Sequence, residues 1–494
     1  MASIKLNEKV IEGDDLESQK AEEGIVENFI TPHSLTAILR KLAMAGVEMR
    51  GLDPIPVEKR THTKYYNVFT LFGGSFLSLL PLSIGVTPTL AFGLSFRDAS
   101  AMIVTMQFVF VLPTLYILTL APQLGMRQSV QFRYAFGLIV ILEVLIFGIL
   151  ATVAGAQCLA AVRPGTLPIE GAIGIILAVA FCIGFIGYKA LHSICQYIWI
   201  PSGISILILV GCAGNKLSHQ TPATSFGAAP YLATISICAA NMATWGTIVG
   251  DYACYMPPQA PRIRLALYCL AGLYVPFSLM MILGAAVGGA IPSIPSWTSA
   301  YTTGGVGGVL GEILISRLGG FGRFILIILG MSIVTTSARD MYSMSLFTVA
   351  AVPWLGRVPR VFILCGAAAV MVGVAIAASR SFLSTLSTLV SIAGYMTGPT
   401  VCVFLIEWFY FRKADPSRLN PATWNDAAAL PSGIPAIVSS LVPWALIATS
   451  MSTGWYVGPI AVQVGDLAYE LGTVTAGLLY FPLRLLEVRW LGRI

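Results

Sequence analysis

From Tyr65 onward the chain consists of long apolar blocks separated by short polar connections. Twelve blocks are legible, near 66–88, 99–120, 136–161, 169–188, 194–213, 229–250, 265–290, 322–346, 359–378, 383–409, 434–452 and 459–481. Each runs for about 18 residues or more, the length at which an α-helix crosses a hydrocarbon core of about 30 Å. The blocks are continuous and do not alternate apolar with polar positions, which excludes a membrane β-barrel. About 430 residues shared among twelve blocks leave roughly 36 for each with its connection, too few for a soluble catalytic domain. The pattern predicts an all-α polytopic membrane protein with twelve transmembrane helices over 65–484 and a short C-terminal tail, 485–494.

Residues 1–64 do not follow this pattern. Positions 8–27 hold eight acidic residues, among them Glu8, Asp14, Asp15 and Glu27, with few aromatics. Such a segment buries too little apolar surface to fold alone and reads as a disordered cytosolic tail. Leu35, Ile38, Leu39, Leu42 and Met49 fall roughly at helical spacing, which suggests a short amphipathic helix at the interface. Pro54 and Pro56 end it, since each proline disfavours the α region in its predecessor. No long apolar run lies in this segment, so a cleavable signal peptide is not expected.

Composition sharpens the reading. The chain is 56% hydrophobic with a mean hydropathy of +0.81 and only 11% charged residues, where soluble proteins carry about 25%. The net charge of +6 needs no nucleic acid to explain it, because the basic residues sit at the ends of apolar blocks. Loops on the side of the termini hold ten Lys and Arg residues, including Arg127, Arg133, Arg262 and Arg264, against six on the other side. By the positive-inside rule both termini are expected in the cytoplasm. The nine cysteines lie singly and the four histidines are scattered, so neither a disulfide framework nor a metal site is expected. No hydrolase, metalloprotease or nucleotide-binding motif occurs, and the run from Gly304 to Gly308 precedes no βα unit. An enzyme is not expected, nor any cofactor.

Two blocks carry interruptions in corresponding positions. Block one contains Gly73-Gly74-Ser75, then Pro81 and Gly85; block six contains Trp245-Gly246-Thr247, then Gly250-Asp251. Paired interruptions are a sequence pointer to a transporter's binding site, where unwound backbone meets a ligand. The same glycines also fit helix packing, Gly246-x-x-x-Gly250 being a small-xxx-small face. Trp245 lies away from the interface, where its flat face could stack on a planar heterocycle or simply pack in the core. Ionisable groups inside the blocks form a third departure, since charges in lipid face the bundle interior or pair. Glu143 sits in block three, Arg339 and Asp340 end the apolar run of block eight, and Asp466 and Glu470 lie four apart in block twelve.

Several motifs together resemble fungal purine-cytosine permeases of the nucleobase–cation symporter family. They include the run from Gly46 to Arg60 (GVEMRGLDPIPVEKR), Gly93 to Asp98 (GLSFRD) and Leu124 to Gln128 (LGMRQ). Further along come Gly155-Ala156-Gln157, Gly187-Tyr188-Lys189, Trp199-Ile200-Pro201, Asp251-Tyr252, Arg317 to Phe324 (RLGGFGRF) and Tyr342 to Leu346 (YSMSL). The resemblance implies a leucine-transporter-like fold, with two inverted five-helix repeats plus two helices. It implies proton-coupled nucleobase uptake at the plasma membrane, with substrate held between spans one, three, six and eight and span five contributing.

Carried onto this chain, that site comprises Gly73, Gly74 and Ser75 in span one, Phe147 and Ala151 in span three, and Cys195 in span five. Trp245 and Gly246 come from span six, and Thr336, Ser337 and Asp340 from span eight. The polar partners differ from the family pattern. Span one reads Phe72 to Ser75 where the family carries more polar residues. An expected asparagine falls at Ala151, an expected glutamate at Cys195, and an asparagine-rich stretch becomes Thr336 to Asp340. A site built to hydrogen-bond a base loses several kcal/mol when its polar groups vanish, which points away from ordinary cytosine or adenine uptake.

The sequence thus predicts a proton symporter importing a nucleobase-like nitrogen heterocycle, its ring stacked on Trp245. Ser75, Thr336, Ser337 and Asp340 would hydrogen-bond it, and Asp340 or Glu143 would carry the proton. The alternatives are a transporter of a vitamin such as pyridoxine or of a specialised metabolite, and a membrane sensor that does not transport. The expected partners are the small-molecule substrate and the lipid bilayer, without nucleic acid.

Overall fold

The computed structural model describes residue 41 and residues 52–136, 142–426 and 428–492. Among the described residues the elements are helical, and the one isolated bridge, Ser452 to Val457, belongs to no strand. The first apolar block is two helices, α1 (Asn67–Phe76) and α2 (Leu79–Leu90), bent by 56°. Next come α3 (Phe96–Leu118), α4 (Leu142–Val162), α5 (Ile169–Ile186), α6 (Tyr188–Ala213) and α7 (Ala229–Ala243). Then follow α8 (Arg262–Ser293), α9 (Pro295–Leu318), α10 (Gly320–Ala351), α11 (Arg360–Ser379), α12 (Phe382–Phe411), α13 (Ile434–Ser450) and α14 (Ala468–Leu491).

Nine described helices are long and apolar enough to cross a membrane, ten with the bent α1–α2 pair taken as one span. The two remaining blocks fall on shorter helices. The block at 229–250 is α-helical for only 15 residues, because the chain tightens into two 3-10 turns after Ala243. The block at 434–452 is α13, which divides at Val442-Pro443, where proline removes a backbone donor. The last block shifts from 459–481 to α14, Ala468–Leu491. Asp466 therefore does not share a span face with Glu470. It lies ahead of the helix, accepts from the Ala468 N–H and takes a hydrogen bond from Tyr395.

One long helix was not expected. Residues 304–308 lie within α9, whose Ser, Thr and Gly content dilutes its hydropathy below a spanning signal. Gly305 adopts φ 61° and ψ −150° and kinks the helix. A Cβ on Gly307 would lie 2.3 Å from the Gln157 carbonyl carbon, so the glycine run serves close packing of α9 on α4.

Two groups of helices pack against each other. In one, α2 lies along α8, and α3 packs on α7 and α8. The α2–α8 contact is backbone to backbone: a Cβ on Gly85 would sit 2.1 Å from the Met281 carbonyl oxygen, and one on Gly284 2.0 Å from that of Leu82. In the other, α4, α5, α10 and α11 all pack mutually. α6 touches α1 on one side and α10 on the other, while α12 joins α7, α4 and α14. The two interrupted elements, α1–α2 and the segment after α7, belong to the first group and face α10 of the second.

Candidate functional site

The first interruption falls at Leu77 (φ −74°, ψ 60°) and Ser78 (φ −144°, ψ 174°), past the glycines, which remain helical. Gly74 serves packing: a Cβ there would lie 2.4 Å from the Cys195 carbonyl oxygen, so its bareness lets α6 approach α1. Gly73 differs. It is buried, yet a Cβ on it would meet nothing within 4 Å, so the interior wall of α1 borders open space at this point. The second interruption begins at Thr244, where 3-10 geometry takes over, and Ile248 (φ −133°, ψ −12°) breaks the ladder again. Gly246 packs between Ile117 of α3 and Val401 of α12, each 3.3 Å from where a Cβ would be.

Trp245 sits inside this second break, 7% exposed. Phe72 and Phe76, one helical turn apart on α1, meet its ring at right angles, with centroids 5.4 and 4.8 Å away. Phe72 also meets Tyr252 at 5.5 Å, and Phe76 meets Phe277 at 5.0 Å. Edge-to-face pairs of this kind favour one another through opposed ring quadrupoles. The indole face is in turn covered by a cation. The Arg339 guanidinium lies over the Trp245 ring, 4.5 Å from its centroid, and 6.0 Å from that of Phe76. Its Nε donates to Asp340 Oδ1 at 3.0 Å, so the sequence neighbours form one buried ion pair.

The structure brings Gly73, Trp245 and Asp340 around this cluster and gives several other expected residues different work. The Ser75 hydroxyl donates to the Leu71 carbonyl within its own helix, while Thr336 makes a long bond of 3.5 Å to the Ser75 carbonyl. Ser337 turns to α4, where its hydroxyl lies 3.0 Å from that of Thr152. Cys195 and Ala151 are fully packed apolar neighbours, 1% and 0% exposed, and Phe147 is partly buried one turn before Ala151. Glu143 lies in the first turn of α4, and its side chain is outside the described residues. Phe76 escaped the sequence reading, although Phe72 and Phe76 at i and i+4 share a helix face, and Tyr252 entered it only within the Asp251-Tyr252 motif, not as a site residue.

The end of the bundle that holds residues 52–66 is closed by arginines. Arg60 is 7% exposed; its Nε donates to the Ile55 carbonyl at 2.8 Å, and its terminal nitrogens donate to the carbonyls of Pro122, Gln123 and Leu124 at 3.1, 3.1 and 3.2 Å. Gly125 (φ 61°) makes this possible, since a Cβ there would collide with the guanidinium. Deeper in, Arg127 Nη2 donates to the hydroxyls of Tyr342 at 2.9 Å and Tyr255 at 3.2 Å. Asp251 accepts from the Gln128 N–H at 2.6 Å. Outside the spans, burial and nearby Lys64 hold the His62 imidazole below its ordinary pKa.

At the opposite end a cavity of about 1270 Å³ lies between α4, α9, α10 and the α11–α12 turn, lined by Gln157, Glu312, Arg323 and Arg380. A second, of about 790 Å³, lies beside His62, Asn67 and Gln196. Neither is lined by Trp245 or Asp340. Among the described residues no His, Cys, Asp and Glu cluster could hold a metal ion.

Comparison with known proteins places these features. The sequence profile described as "Permease for cytosine/purines, uracil, thiamine, allantoin" matches residues 54–472. The purine-cytosine permease fcyB of Emericella nidulans is 29% identical over 482 residues, covering 94% of this chain and 94% of that protein. The vitamin B6 transporter TPN1 of Saccharomyces cerevisiae is 25% identical over 520 residues, 92% of this chain and 90% of that protein. Among solved structures, Mhp1, a nucleobase-cation-symport-1 family transporter in a closed conformation with bromovinylhydantoin bound, matches with a TM-score of 0.68 at 14% identity. That match covers 89% of this chain and 95% of the other, and it gives the shared leucine-transporter-like fold.

Proposed function

The chain belongs to the permease family for cytosine/purines, uracil, thiamine and allantoin, and from that membership we propose that it is a proton symporter importing a small planar nitrogen heterocycle. It is a multi-pass membrane transporter and not an enzyme. The observation that carries the substrate reading is the meeting of two interrupted helices at a buried aromatic cluster. Leu77-Ser78 and Thr244 to Ile248 both leave α geometry, and Phe72, Phe76, Tyr252 and Trp245 lie between them. Rings edge-on to one another beside the open wall at Gly73 suit a flat solute.

In this reading the protein resides in the plasma membrane with both termini cytoplasmic. The stretch ahead of residue 52 belongs to a cytosolic tail, whereas 52–64, expected as part of that tail, pack on the bundle through Arg60, and the transporter, expected to end at 484, runs to the end of α14 at Leu491. Rocking of the α1–α2, α7 and α8 group against the α4, α5, α10 and α11 group would expose the site to each side in turn. Asp340 or Glu143 carries the coupling proton. A vitamin substrate such as pyridoxine is a second reading, favoured by the similarity to TPN1.

Uptake of labelled adenine, cytosine, hypoxanthine, uracil and pyridoxine, at acidic and alkaline external pH, tests the proposal. Accumulation of one of them that rises with external acidity is the expected result. Binding without accumulation at either pH would make the protein a sensor and overturn it.

A further inference from the structure

The centre of the bundle holds an ion pair of which the transport reading uses the aspartate and leaves the arginine without a task. Arg339 and Asp340 are each 2% exposed and lie within α10, away from both of its ends. Their one mutual hydrogen bond uses a single donor of the guanidinium and a single oxygen of the carboxylate. Arg339 Nη1, Asp340 Oδ2 and the Tyr252 hydroxyl are all buried without a hydrogen-bond partner. Tyr252 is close enough to feel the charge of both members of the pair, and it packs on Phe72. Buried polar atoms are nearly always satisfied, and each orphan bears its full desolvation penalty uncompensated. Three orphans around one aromatic cluster, beside the open wall at Gly73, describe the complement of a ligand.

Charge decides which ligand. With both members ionised, Arg339 and Asp340 sum to zero. A carboxylate, or a ring that has lost a proton, offers the planar acceptor that a guanidinium fork binds best. Adding an anion alone would leave a net negative charge buried in the membrane interior, which costs several kcal/mol. A proton arriving with it removes that cost.

We propose that this site selects a planar heterocycle bearing one negative charge, held by Arg339 beside Trp245, and that Asp340 takes up a proton with it. The inference rests on the transporter reading above and adds the sign of the substrate's charge. The proton comes from bulk water onto Asp340, converting carboxylate to carboxylic acid, and no bond in the substrate is made or broken. The site is neutral before loading and neutral after it, so anion and proton cross together.

The groups around Asp340 leave it as the one to titrate. Arg339 stays protonated, and the Tyr252 hydroxyl and Cys195 thiol from the facing elements are neutral over the physiological range. α4 presents Gly148 here, where a Cβ would lie 3.6 Å from Asp340 Oδ2, and Glu143 lies five positions earlier on that helix. On α5 and α11, which pack on α10, Cys182 and Cys365 are exposed and not buried with Asp340, and Arg360 lies over the Tyr342 ring.

The test uses the full chain in proteoliposomes and two pairs of probes that differ in charge: uracil with its 6-carboxylate, and nicotinamide with nicotinate. Under an inward proton gradient at least one carboxylate is expected to accumulate about tenfold or more faster than its neutral partner. Its uptake should not respond to membrane potential. Arg339→Gln should erase the acid preference, Arg339→Lys should keep part of it, and Asp340→Asn should bind the acid equally at about pH 5.5 and 7.5.

The wild-type comparison needs no variant, so a folding defect in Arg339→Gln leaves the test intact. Faster uptake of the neutral member by the wild type, or an acid preference that survives Arg339→Gln, overturns the inference. If adenine or cytosine accumulates while no acid does, the transport reading stands and the anion inference falls. If no heterocycle of either charge moves, both fall.

Discussion

Gly73 and Gly74 are adjacent on α1 with opposite surroundings. Gly74 presses against the Cys195 carbonyl, while Gly73 borders open space. Gly74→Ala should therefore cost about 1–3 kcal/mol through overpacking against backbone that has little room to yield. Gly73→Ala should leave the melting temperature of the detergent-purified protein unchanged while reducing uptake, because its methyl group enters the site. Equal melting temperatures for the two variants would show that α6 yields at Cys195. Trp245→Ala should reach the membrane and lose uptake by at least about tenfold, since it removes the ring that supports Arg339 and, in the proposed site, borders the solute. Unchanged uptake kinetics in that variant would remove Trp245 from the site. Sequence pattern singled out Trp245, Asp340 and Gly73 because each breaks a rule of membrane helices. It did not show that Ser75 and Ser337 spend their hydroxyls on Leu71 and Thr152, since any serine in a span carries the same potential.

Elements are held at the arginine-closed end by a buried network around Glu407. Its Oε2 accepts from Arg484 Nε at 3.0 Å and from the Tyr480 hydroxyl at 2.9 Å, while Oε1 accepts from Arg412 Nε at 2.9 Å. Arg484 Nη1 also donates to Glu487 at 2.8 Å. This joins the end of α12 to α14, where a π-helical turn, Glu407–Phe411, aims the carboxylate inward. Glu407→Gln should lower stability by about 3 kcal/mol or more, because it leaves buried guanidinium charge poorly matched. The readout is a lower melting temperature, and adding Arg484→Met should restore part of it. No restoration would mean that the loss lies in packing. Hydropathy placed α12 to within two residues but set α14 nine to ten residues too early, and it missed α9, whose polar and glycine-rich sequence is compatible with a helix but carries no spanning signal.

At the scale of the whole molecule, two helix groups meet across the Trp245 cluster and are tied at one end by Arg127, while Arg60 fastens the segment ahead of α1 to the turn after α3. Arg127 reaches Tyr255, which follows the second interruption, and Tyr342 of α10, so it bridges the two groups. Cys254, next to this bridge, is 0% exposed. Arg127→Ala should loosen that end and raise the rate at which a maleimide labels Cys254, in a background where the exposed Cys182 and Cys365 are serine. An unchanged rate would mean that Arg127 does not hold this end shut. The substitution should also shift transport kinetics, because alternating access depends on opening each end in turn.

Fold class was determined by the sequence alone, since hydropathy is a sum along the chain and a lipid solvent permits few ways to satisfy a backbone. The two interruptions and the buried charges were also written locally, in glycine, proline and ionisable residues where helices prefer none. What only tertiary structure decided was who faces whom. Trp245 and Arg339 lie far apart in sequence, and the guanidinium covers the indole because α10 packs against the broken segment after α7. Contacts between distant residues depend on helix rotation and approach, which the bare carbons of Gly74, Gly85 and Gly284 permit but no one-dimensional pattern encodes.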